Sequence, residues 1–142
     1  MELSYIATTI LAVGAICVAP ELMRFLYTEK YASYDVVAVG TNAVATAAMI
    51  KAGAKKAASG ENPVIVGCRK ADVIIGPVGI VIADSLLGEI TPEMAVAVGQ
   101  SKAVKILIPV NKCDNLIAGI TNVTVSALIE DVMLKLENIS DK

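Results

Sequence analysis

Residues 35–54 read DVVAVGTNAVATAAMIKAGA, and the change of pattern at Gly40 decides the fold class. Asp35 to Val39 is an apolar run without alternation, the mark of a strand buried on both faces. Gly40 interrupts it. Thr41 or Asn42 then stands where a helix cap belongs, Ala43 to Ala52 follows as a helix, and Gly53 supplies its end. A related succession recurs in DVIIGPVGIVIADSLLGEITP, residues 72–92, where Val73-Ile74-Ile75 runs into Gly76 and Pro77. Here the reading gives a strand and then a helix, Val78 to Leu87, with almost no polar face. Such a helix must be buried or packed on a partner.

Working outward, Tyr5 to Leu11 is rich in β-branched residues and predicts a first strand, broken at Gly14. Pro20 suits the first turn of a helix through Tyr27, where its missing N–H has no intrahelical use. The stretch KKAASGEN (55–62) reads as a loop, and Pro63 to Val66 as a strand after it. Thr91-Pro92-Glu93-Met94 opens another helix, with a cap, a proline and an acid in the first turn. Val104 to Val110 and the shorter Leu116 to Ile120 read as two more strands. Thr124 or Ser126 begins a final amphipathic helix through Leu136, with 138–142 as a frayed tail. Buried strands alternating with helices predict one Rossmann-like domain over 1–142, a three-layer α/β sandwich. Its sheet is mostly parallel, with five or six strands.

Apolar residues make up 56% of the chain against 18% charged. Two arrangements accommodate that balance: a sheet covered on both faces with a subunit interface besides, or a segment in a membrane. Residues 3–20, LSYIATTILAVGAICVAP, carry no charge and reach the lower edge of a spanning length. Met1-Glu2 offers no basic flank for a signal peptide, so a buried strand, turn and helix is favoured over an anchor. The expected protein is a cytoplasmic homo-oligomer. Cys17, Cys68 and Cys113 form no CxxC pair, which fits reduced thiols. The chain has no histidine, which excludes histidine triads and removes the commonest metal ligand, and no metal site is predicted. Scattered lysines and few aromatics exclude nucleic acid as a partner.

Ligands of open α/β sheets bind outside the carboxyl ends of the strands. On this map that rim collects Gly40, Thr41, Asn42, Gly76, Gly79 and Asn111. Gly60, Glu61 and Asn62, placed before a strand, join them only by folding back. Helix starts present free amides and the positive end of the dipole to phosphate or carboxylate. Asn42 and Asn62 can donate and accept, matching a sugar or base edge. The expected partner is therefore a small anionic or nucleotide-like ligand. Each feature also has a plain structural reading: the glycines make tight turns and Thr41 caps a helix. Glu61, Asp84 and Glu89 are the acid–base candidates, and no thiol has a recognisable base. The residues name neither a reaction nor a cofactor. Two rival readings are an interaction module built on GIVIADSLL and the apolar N-terminus, and a small enzyme whose chemistry comes from a cofactor.

From about Asp35 onward the chain resembles a family of short bacterial proteins known only as a domain of unknown function. The resemblance is carried by GTNA…SGEN…IIGPVGI…LGEITP in that order, and by KILIPVN. It implies a Rossmann-like fold and nucleotide binding, because members open with a strand running into a glycine-rich turn of the kind GQGGGIG. This chain departs there. It has TTILAVGAICVAPEL, with Gly14 as the sole glycine, and Val13, Ala15, Val18 and Ala19 put side chains where a pyrophosphate needs bare backbone. Residues 1–34 are thus set apart as divergent: a site that lost or changed its ligand, or an altered start or reading frame.

Overall fold

The computed structural model describes residues 9–14, 19–110 and 115–140. Among the described residues five strands, β1 (Thr9–Gly14), β2 (Asp35–Gly40), β3 (Ala57–Ser59), β4 (Val73–Pro77) and β5 (Val104–Ile108), form one sheet in the order β3-β2-β1-β4-β5. Every pairing is parallel. Five helices accompany them: α1 (Ala19–Leu26), α2 (Ala43–Lys51), α3 (Glu61–Lys70), α4 (Pro92–Gln100) and α5 (Val125–Ser140). This is the predicted Rossmann-like three-layer sandwich.

Side chains alternate across each strand, so the sheet seals two cores. Ile10, Ala12, Ile75 and Ile106 point toward α1, α2 and α5, where Leu22, Met23, Met49, Ile129 and Leu136 meet them. Leu11, Val13, Val39 and Ile74 face the other way, toward Val64, Met94 and Val98 of α3 and α4. Burying each large aliphatic side chain contributes about 1.5–3 kcal/mol, which gives the apolar excess its use. Of the uncharged stretch 3–20, Thr9–Gly14 is the middle strand, and residues 3–8 and 15–18 lie outside the described residues. No helix among the described residues is long and apolar enough to cross a membrane.

The helix starts follow their sequence signals. Asn42 caps α2, its Oδ1 accepting from the Ala45 amide at 2.8 Å. Thr91 caps α4 through the Met94 amide at 3.1 Å, and Thr124 accepts from Ala127 at 3.2 Å before α5.

Five expectations are corrected. Pro63 to Val66 is helical, the first half of α3. Proline is tolerated in a first turn, and the apolar Val64 and Cys68 fall four residues apart on one buried face. The strand lies instead at Ala57–Ser59, inside the expected loop. Its three small residues carry little β-propensity. Leu116 to Ile120 is irregular, with Gly119 at φ 84° making a turn, and no sixth strand occurs among the described residues. The final helix continues to Ser140 where a frayed tail from 138 is expected.

The fifth correction shapes the site. Val78 to Leu87 is no helix: a short 3-10 turn, Val78–Val81, gives way to a compact loop. Val78, Ile80, Val81 and Ile82 are β-branched and disfavour a helix. The buried Ser85 hydroxyl donates to the Gly79 carbonyl at 2.5 Å, a side-chain bond that competes with helical pairing.

Candidate functional site

The carboxyl ends of β1, β2 and β3 finish level, with Gly14 opposite Gly40 and Gly40 opposite Ser59. On leaving β1 the chain goes to β2 on one side, and it later returns to β4 on the other. The strand order therefore reverses between β1 and β4, which is where open α/β sheets bind their ligands.

Gly60, Glu61 and Asn62 follow β3 and open α3. They reach the rim directly, correcting their expected place before a strand, and the Gly60 amide donates to the Gly40 carbonyl at 3.1 Å. Gly60 has φ 103° and ψ −172°, a region that glycine alone populates readily, and no side chain caps α3. Thr41 and Asn42 follow β2, while Gly76 and Gly79 bracket the end of β4. Asn111 lies outside the described residues.

Two of the glycines answer to packing. A Cβ on Gly40 would stand 2.1 Å from Thr46 Oγ1 and 2.6 Å from the Thr46 amide nitrogen, so its absence lets α2 close on β2. A Cβ on Gly76 would stand 2.5 Å from the Val13 carbonyl oxygen. Both carry the structural role named beside the functional one.

Residues 82–91 form a strap across this edge. Asp84 and Ile90 close its neck: the Asp84 amide donates to the Ile90 carbonyl at 2.7 Å, and the Ile90 amide to the Ser85 carbonyl at 3.2 Å. Ile90 is fully buried in the α3/α4-side core. The strap then reaches β2. Glu89 Oε2 accepts from the Thr41 hydroxyl at 2.7 Å and Oε1 from the Asn42 side-chain amide at 2.9 Å. Thr91 donates to Glu61 Oε1 at 2.7 Å, tying the strap to the first turn of α3. Asn42 therefore spends its acceptor on the α2 cap and its donor on Glu89, and Asn62 is the exposed asparagine of the pair. Glu89 and Thr91 act 47 and 30 residues from their partners in sequence, a separation no local motif announces.

None of the eight predicted residues that are described lines the groove of about 630 Å³ between α3 and α4, or that of about 360 Å³ between β5 and α5. At Cys68, the one cysteine among the described residues, thiol chemistry finds no support: burial pushes the thiol up to about 11, with Lys105 pulling the other way. No group of three or more metal-ligating side chains occurs among the described residues.

Level strand ends, a switch between β1 and β4 and a polar row beneath a strap define a Rossmann-like α/β domain. A family model described as domain of unknown function DUF3842 matches residues 12–141, and the chain belongs to that family. The match begins inside β1, upstream of Asp35 where the resemblance read from the residues begins. No curated protein and no solved structure matches the chain.

Proposed function

We propose that this domain binds a small anionic or nucleotide-like ligand outside the carboxyl ends of β1 and β4, as an oligomer in the cytoplasm. The observation that carries the reading is the convergence on one sheet edge of three chain reversals distant in sequence: 40–42, 60–62 and 76–79. The start of α3 supplies amides without a side-chain cap, the arrangement that favours phosphate or carboxylate. Exposed Glu61 and Asn62 beside it are acceptors suited to ribose hydroxyls. The strained strap adds support, because left-handed non-glycine residues concentrate at ligand clamps. One of the two elements on which the rival interaction module depends, a helix over GIVIADSLL, is absent, which favours the ligand reading over it.

Thermal unfolding across a panel of nucleotides and phosphorylated metabolites tests the proposal. A ligand selective for the native state stabilises it by about 2.7 kcal/mol at a hundredfold excess over its dissociation constant. At least one compound raises the midpoint by several degrees; a flat response across the panel contradicts the reading.

A further inference from the structure

We propose that Glu89 is a latch, and that the strap it closes is spring-loaded to open over the rim. The inference rests on the ligand-binding reading above for its purpose, though not for its mechanics. Asp84, Leu86 and Leu87 have φ of 63°, 56° and 57°, and Gly88 follows at 86°. L-residues enter this left-handed region only at a cost; Leu86 offsets part of it by packing against the α3/α4-side core, and Leu87 does not. The Leu87 side chain is wholly exposed, so no burial offsets its backbone strain.

Backbone bonds from the Gly88 and Glu89 amides shape the strained loop, and its ties to β2 and α3 are polar and concentrated. Both Glu89 oxygens are held by donors on the β2–α2 turn, Thr41 and Asn42, and Thr91 is held by Glu61. Near either end the buried Ser85 and Ile90 side chains anchor the strap, so its opening is a local release of the backbone and not a loss of these side chains from the core. The carboxylate thus occupies the donor pair that an incoming anionic group would need. A ligand displaces Glu89, takes the Thr41 hydroxyl and Asn42 amide in its place, and the strain stored at Asp84, Leu86 and Leu87 assists the opening.

Hydrogen exchange of the unliganded protein tests the mechanics. In Glu89→Ala, amides of residues 84–90 exchange about tenfold faster or more, as expected for loss of charge-assisted hydrogen bonds. Amides within α2 and α4 keep their rates, which separates release of the strap from general unfolding. Leu87→Asn acts in the opposite sense: asparagine tolerates the left-handed conformation, the closed strap is relieved, and its amides exchange several-fold more slowly. Unchanged rates over 84–90 in Glu89→Ala overturn the latch, and faster exchange in Leu87→Asn overturns the spring. Neither measurement uses a ligand, so failure of the ligand panel leaves these outcomes standing, and failure here leaves the panel to be judged separately.

Discussion

Gly40→Ala lowers the stability of the domain by about 3 kcal/mol, with a fall of roughly 10 °C in the unfolding midpoint for a chain of this size. The added Cβ meets three atoms of one residue: Thr46 Oγ1 at 2.1 Å, its amide nitrogen at 2.6 Å and its Cα at 2.9 Å. A hydroxyl can rotate away, but the other two atoms belong to the backbone of α2. Relief therefore requires the whole helix to back off β2, lifting Met49 from the core it shares with Ile10 and Ala38. The double variant Gly40→Ala, Thr46→Ala removes only the hydroxyl contact and recovers only part of the loss. Calorimetry or denaturant titration measures both. A change under 1 kcal/mol in the single variant would show that α2 is not closed against the end of β2.

Ile90→Ala costs about 3–4 kcal/mol. Ile90 is fully buried among Leu11, Val39, Ile80 and Met94, so truncation loses transfer energy and leaves a cavity beside a sheet that cannot collapse into it. Its backbone also closes the neck of the strap through Asp84 and Ser85. Leu87→Ala supplies the contrast: three residues away, with its side chain wholly exposed, it shifts stability by less than about 0.5 kcal/mol. Denaturant midpoints of the two variants check the pair. Equal effects would mean that the strap is not anchored through Ile90.

These two residues also mark how far the sequence could be read. Gly40, set between an apolar run and an asparagine cap, announced β2 and α2 because strand, break and cap are local signals that agree. Thr91-Pro92-Glu93 announced α4 for the same reason. Val64-Ile65-Val66 misled, because a short β-branched run cannot be told from a buried helix by periodicity, and only Pro63 and the closing Arg69-Lys70 pointed to α3. GIVIADSLL misled further. Its apolar character was right, since Ile80 enters the core and Val81 and Leu86 pack against it, but nothing local reveals that Ser85 bonds back to Gly79. Gly40 to Asn42, Gly76 and Gly79 were legible as turns after strands, whereas Gly60 to Asn62 were read as a loop before one. Their real partners, Glu89 and Thr91, depend on tertiary folding across distant segments, and sequence spacing carries no trace of them.

The central claim is that ligand recognition lies at the carboxyl edge of the sheet beneath the strap. Amide chemical-shift mapping of the labelled protein, titrated with AMP and with the most stabilising compound of the panel, tests it most directly. The account predicts perturbations confined to Thr41, Asn42, Gly60 to Asn62, Gly76 to Gly79 and the strap residues 84–90. Perturbations centred on Ile65, Val96 and Gln100 in the α3/α4 groove would contradict it.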